Sequence, residues 1–307
     1  MDKLCQGYEY ITDSITGEIL AIERATGAVY STTTEQVIVG STITTPEQKR
    51  EHHRRNKRNK EIGMRRLVND PLGKYYFIIA HEQFENIAPE NVTRLIYLST
   101  FMNYKENKLM LTERLPMKYE DLPAVLGVSK STAWRFWREV NGSYISKTAE
   151  GLIFTNNTVF RRGNLHRNQF TQYQKIYIDG VRRLYLSVDK KYHRRLGEIL
   201  KLLPFINLEY NILCRPECAL ESDISKIDTI TVAEFCEWIG YDVAHLNDLL
   251  SAYREIRFNV NGRQERFCSL NYDGVNKKGA IICINPHILY CGSDYEKVEV
   301  LGAFYKE

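Results

Sequence analysis

Residues 118–140, KYEDLPAVLGVSKSTAWRFWREV, decide the reading of this chain. The spacing predicts a short first helix from Tyr119 to Leu126, a turn at Gly127, and a second helix capped by Ser129 and running to Val140. Glycine adopts a tight or left-handed turn at no steric cost. A serine hydroxyl at the cap accepts from the free amides of the first turn. In the second helix Ala133, Phe136, Trp137 and Val140 fall at i, i+3, i+4 and i+7, which makes one buried face. Lys130, Ser131, Trp134, Arg135 and Arg138 lie opposite, and Thr132 joins them as a candidate contact. Cations, hydroxyls and an aromatic on one exposed helix suit a DNA major groove. A small helical hairpin also needs a charged face merely to stay wet, so this pattern alone does not decide.

The continuation does. Asn141-Gly142 leads into a short apolar run, Tyr144-Ile145, then a polar turn through Ala149-Glu150-Gly151, then Leu152-Ile153-Phe154. That order predicts a β-hairpin directly after the second helix. Helix, helix and hairpin in succession describe a winged helix, with the hairpin as the wing. The helix over residues 90–101, with Val92, Leu95, Ile96 and Phe101 inward, would support the pair. Residues 109–112 and 115–117 would supply a short strand or loop before it.

Upstream, YEYIT and ILAIE flank Gly17, and Ala28-Val29-Tyr30 follows a second turn, so residues 8–40 read as a small β-sheet. Thr45-Pro46-Glu47 is a helix start, with a hydroxyl cap, proline at the first position and an acid in the first turn. From Pro46 to Arg66 there are nine Lys and Arg against three Glu, with almost no apolar face. Arg50, Arg54, Arg55, Lys57, Arg58 and Lys60 are therefore candidate phosphate contacts. His52 and His53 are neighbours, point to different sides of a helix, and are not read as metal ligands.

Downstream of the wing, Arg161, Arg162, Arg167, Lys175, Arg182 and Arg183 stud what reads as extended backbone with a turn at Gly180, and Arg161 and Arg162 extend the candidate DNA surface. A second module then repeats the plan. It has a helix over 192–206, a helix capped by Thr231 through Trp238, and a helix capped by Asp242 with Leu246, Leu249, Leu250 and Tyr253 inward. A hairpin from Arg266 to Asn285 follows, with Lys277 and Lys278 at its tip. The outer helix of this copy carries Asp242 and Asp248, a pattern that a phosphate backbone repels, so it reads as a packing or dimerisation module. The apolar end, residues 298–304, needs a cover, either its own domain or another copy.

Charge divides the chain in the same sense. The net charge of +4 is the balance of +10 over residues 1–206 and −6 over 207–307, which suggests different partners for the two parts. A hydrophobic content of 43% is ordinary for a globular protein, and no run of 18 apolar residues suggests a membrane span. The N-terminus shows no apolar signal segment, and seven scattered cysteines fit reduced thiols, so a cytoplasmic location is expected.

Five segments in order carry a family likeness: RLIYLSTFMNY at 94–104, PMKYEDLPAVLGVSKSTAWRFWREV at 116–140, FRRGNL at 160–165, LKLLPFINLEYNILC at 200–214 and INPHILYCG at 284–292. Together, over roughly residues 65–295, they resemble tandem winged-helix proteins of Gram-positive phages and plasmids, related to RepL-type replication initiators. The resemblance implies DNA binding more firmly than it implies either regulation or initiation.

Enzymatic signatures are missing from the sequence. It holds no GxxxxGK[ST] phosphate loop and no His-hydrophobe-His motif with a following tyrosine. Cys214, Cys218, His287 and Cys291 have a spacing that a zinc site could use, but packing explains Cys214 and Cys291, and no metal or cofactor is assigned.

The expected fold is α+β, mainly α: two winged helix-turn-helix modules in tandem, preceded by an N-terminal β-hairpin and a basic helix. The expected divisions are 1–44, the basic linker 45–70, a first winged-helix domain 71–174, and a second, oligomerising one 175–307. The expected function is sequence-specific binding of double-stranded DNA by a non-enzymatic phage or plasmid regulator or replication initiator. It would act as a homo-oligomer, with a host or phage regulatory protein as a further partner and no membrane. The alternative is an interaction adaptor using winged helices as scaffolds, favoured by the acidic second module.

Because the six cations of the basic segment spread round a helix, they should follow phosphates rather than read bases. Neutralising four of them is expected to flatten the slope of log K against log salt by roughly 2–4 units, weakening specific and random duplexes alike. Binding isotherms over a salt series check this. An unchanged slope makes the segment a linker or a protein-docking helix.

Overall fold

The computed structural model describes residues 8–12, 19–25, 29–31, 50–57, 60, 63, 70–79, 84, 86–104, 106–155, 159–163, 173–271 and 279–305. Cys5, the turn over 13–18, the cap at 45–47, Arg58, Arg167, Lys277 and Lys278 lie outside the described residues. The fold is α+β, with helices and small antiparallel sheets, and the chain divides into two units, Met1–Arg66 and Leu67–Glu307.

In the first unit β1 (Tyr8–Thr12), β2 (Ile19–Glu23) and β3 (Val29–Ser31) form an antiparallel meander, as the turn residues predict. Tyr8 pairs with Glu23, and Leu20 with Ser31. Residues 50–57 are helical, and Arg50, Arg54, Arg55, Lys57 and Lys60 are all exposed.

The second unit has at its centre β4 (Tyr75–Ile79), paired on one side with β7 (Phe160–Arg161) and on the other with β8 (Tyr173–Tyr177). The division expected at 174/175 falls inside β8. One hydrophobic core runs on from Tyr76 through Phe136 to Leu289. Its middle is α1 (Pro89–Ser99), in which every residue from Asn91 to Ser99 is buried. The one-sided pattern expected for this helix is exceeded because a second helix, α5 (His193–Leu200), covers its other side. Gly197 makes that approach possible. A Cβ there would fall 2.8 Å from Pro89 Cα and closer still to its carbonyl.

Ile178–Ser187, read from sequence as extended backbone, is a helix, α4. Ile178, Val181, Leu184 and Tyr185 are buried at helical spacing. Gly180 is a point of close approach rather than a turn. Its missing side chain lets α4 rest on the His287 carbonyl. The helix expected over 192–206 ends at Leu200, and Leu203–Phe205 forms a separate 3-10 turn around Pro204.

In the second half α6 (Val232–Trp238) starts with a capping box. Thr231 Oγ1 accepts from the Glu234 amide (3.3 Å), and Glu234 Oε2 accepts from the Thr231 amide (2.9 Å). α7 (Leu246–Glu255) buries Leu246, Leu249, Leu250 and Tyr253, as its periodicity predicts. The hairpin next in line is not among those the spacing predicts. β9 (Arg257–Val260) and β10 (Arg263–Arg266) join at Asn261-Gly262, both left-handed, which is the two-residue turn that Asn-Gly favours. The anticipated hairpin, β11 (Cys268–Asn271) with β12 (Ile281–Ile284), follows it. The last helix, α8 (Tyr295–Gly302), and Phe304 pack on their own unit, with Val298 and Phe304 buried beside Leu72, Tyr177 and Tyr290. The apolar chain end thus finds its cover within the same copy, leaving Val300 outward.

His193 is buried between α1 and α4, 4.5 Å from the Tyr185 ring. Burial, then the neighbouring Arg94 charge, pushes its imidazole down from 6.5 to about 4. The folded state therefore resists a proton that the unfolded chain accepts. Stability is unaffected above pH 6.5 and falls as pH drops from there through about 4. The loss approaches roughly 3 kcal/mol, on an order-of-magnitude scale. Urea unfolding across this window is expected to show the slope, and His193→Leu to flatten it. An equal slope in the variant assigns it to other groups.

Candidate nucleic-acid interface

The first helical pair is built as its sequence predicts. A 3-10 turn over Tyr119–Asp121 runs into α2 (Leu122–Leu126), and Gly127 follows in the left-handed region at φ 59°. Ser129 then caps α3 (Lys130–Val140), its Oγ accepting from the Thr132 amide at 3.2 Å. Ala133, Phe136 and Val140 are buried, and Trp137 packs edge-on against Tyr119 at 5.2 Å. Tyr185 of α4 donates its hydroxyl to the Leu126 carbonyl at 2.9 Å, so the turn is held from below.

This anchoring leaves Lys130, Ser131, Trp134, Arg135 and Arg138 exposed on one side of α3, with Thr132 half-buried. Arg138 lies over the Trp134 ring at 4.8 Å, and the indole remains 50% exposed. Ser131 and Thr132 bring their hydroxyls to within 3.0 and 2.9 Å of Ser129 Oγ, and Arg135 reaches Thr132 Oγ1 at 3.5 Å. The face therefore presents three cations, several hydroxyls and a flat aromatic. A cationic helix face of this kind can donate to phosphates and to base edges.

Directly after α3, β5 (Ile145–Lys147) and β6 (Leu152–Phe154) pair antiparallel. An isolated bridge joins Lys108 to Ile153, and Leu109 donates its amide to the Leu152 carbonyl at 2.9 Å. The hairpin turn closes where Thr148 and Gly151 exchange hydrogen bonds. Both of its nearby cations are paired: Lys147 with Glu120 at 3.6 Å, and Lys108 with Glu150 at 2.6 Å. These pairs are solvent-exposed and worth little, so a polyanion can compete for them.

The arginines after the hairpin divide. Arg161 is half-buried on β7. Arg162, expected at the interface, donates instead to the Met102 carbonyl, and burial lowers its affinity for its proton. Arg182 likewise donates to the Thr100 carbonyl at 2.9 Å and covers the Phe101 ring. Both arginines serve the carbonyls just beyond the C-terminal end of α1, where cations are favoured. Lys190, which the sequence reading passed over, places its Nζ 3.5 Å from where a side chain of Gly127 would begin. Its only advance signal is the Lys190-Lys191 pair, and nothing in the sequence ties that pair to Gly127.

The cysteine set does not assemble. Cys218 Sγ accepts from the Asp228 amide, Cys291 Sγ from the Lys175 amide, and His287 bonds Glu299. Comparison of the chain with family models, curated proteins and solved structures returned no match.

Arg135 and Arg138 are exposed, so their replacement should leave stability within about 0.5 kcal/mol. Arg135→Ala is expected to cost about 1–3 kcal/mol of preference for a specific over a random duplex. Competition binding measures the ratio. If both single alanine variants leave it unchanged, this face does not read bases.

Proposed function

We propose that this chain is a sequence-specific double-stranded DNA-binding protein of a phage or plasmid, a transcription regulator or replication initiator built on two winged-helix modules. The observation that carries the reading is α3. Its apolar side is locked to the core, its far side exposes Lys130, Arg135 and Arg138, and a two-stranded hairpin follows it. The order α5, α6, α7 and the β9–β10 hairpin supports a second copy of the plan, with 257–266 as its wing. The likeness to RepL-type initiators belongs to the same proposal. Lys190 adds a cation beside the turn that enters α3, and the exposed Arg50, Arg54, Arg55, Lys57 and Lys60 add phosphate affinity.

The second module serves as scaffold. The outer side of α7 exposes Asp248 and Glu255 against one arginine, Arg254. That acidic side, together with the outward Leu220 and Val300, favours the alternative reading of a protein-interaction adaptor. Selection of duplexes from a random pool with the full chain separates the two. A single enriched motif that outcompetes random duplex is the expected result, and a two-fold symmetric motif marks a dimer. A pool without enrichment, bound only through its charge, overturns specific DNA binding.

A further inference from the structure

Three side chains distant in sequence converge at the far end of the second unit. They are Glu265 of β10, His287 in the turn after β12, and Glu299 of α8. Their donor atoms lie within 4.8 Å of one another. His287 Nε2 is 3.0 Å from Glu299 Oε1. Glu265 is only 6% exposed, and its hydrogen-bond donor among the described residues is the neutral side-chain amide of Asn285, at 2.9 Å. A neutral amide orients a buried carboxylate but does not offset its charge. The same Asn285 accepts from the His287 backbone amide at 2.9 Å, so one fully buried residue sets the positions of two members of the group.

Charge balance decides what the group is suited to hold. Two carboxylates and an imidazole gathered in a largely buried place form a donor set whose negative charge a divalent cation offsets. We propose that Glu265, His287 and Glu299 bind a first-row divalent transition-metal ion, with Asn285 as the positioning residue. One imidazole and two carboxylates suit zinc or manganese. Neighbouring donors in a tetrahedral shell sit about 3.3 Å apart. The His287–Glu299 separation is already close to that. Glu299, about one-third exposed, has freedom to close the remainder and marks the route by which an ion reaches the site. Three protein ligands leave a position for water. Bound metal would pin α8 to the β9–β10 hairpin and to the turn whose His287 carbonyl supports Gly180 of α4.

The test uses the full chain, stripped with chelator, dialysed, and titrated calorimetrically with zinc or manganese chloride. The thermal midpoint is followed in parallel. The expected result is one equivalent of one of these ions, a raised midpoint, and affinity at least ten-fold weaker in Glu299→Gln and His287→Gln. Glu299→Gln alters a partly exposed side chain and decides the matter should His287→Gln fail to fold. Absence of saturable binding by either ion, or binding that Glu299→Gln leaves unchanged, reduces the group to an ion pair and overturns the proposal.

Discussion

From Asn91 to Ser99 α1 offers no face to water, and the rest of the second unit is arranged around that fact. A helix buried from Asn91 to Ser99 leaves its terminal amides and carbonyls without solvent, so other elements must supply partners. Glu139 of α3 accepts from the Ala88 amide at the N-terminal end (3.0 Å), and Arg182 and Arg162 donate to the Thr100 and Met102 carbonyls beyond the other end. An acid at the start and cations at the finish both complement the helix dipole. Along its flank Thr93 donates to the His193 carbonyl at 2.8 Å, and Gly197 lets α5 approach to backbone contact. The two halves of Leu67–Glu307 therefore share a core instead of meeting at a linker.

That shared core explains why the exposed side of α3 is so well defined. Glu139 is tied to α1, Phe136 and Val140 are buried, and Trp137 is packed on Tyr119. Each contact fixes the helix rotation, and what remains outside is Lys130, Ser131, Trp134, Arg135 and Arg138. Support for the turn at Gly127 comes from α4, through Tyr185, and Lys190 lies against the same glycine. In the proposed reading α4 and the turn after it thus support the basic surface by position, although the later outer helix α7 repels phosphate.

Charge in this protein has two distinct uses. Arg162 and Arg182 spend their hydrogen bonds inward on backbone carbonyls, where removal would leave acceptors unsatisfied. Among the described residues Arg135 and Arg138 have only loose partners, a hydroxyl at 3.5 Å and an indole face. The same residue type is structural in one place and available in the other. The buried Glu265 beside His287 is a third situation, a charge whose surroundings are completed by an ion in the proposal made above.

Taken alone, the sequence determined what nearest neighbours determine. The apolar spacing of α3 and α7, the Ser129 and Thr231 caps, the Gly127 turn and the β5–β6 hairpin all depend on residues a few positions apart, and all were legible. So was the candidate face of α3, because burial of one side defines the other. Only the tertiary structure decided that Ile178–Ser187 is helical, that Gly180 and Gly197 are contact points, that Arg162 turns inward, and that Lys190 and the Glu265–His287–Glu299 group are where they are. Each of these is set by a partner outside its own element, from 12 residues away for His287 and Glu299 to about 110 for Gly180 and Gly197. A glycine that opens a turn and one that admits a neighbouring backbone look the same in sequence. An arginine facing solvent and one reaching a carbonyl carry the same charge, and only the packing of the other element tells them apart.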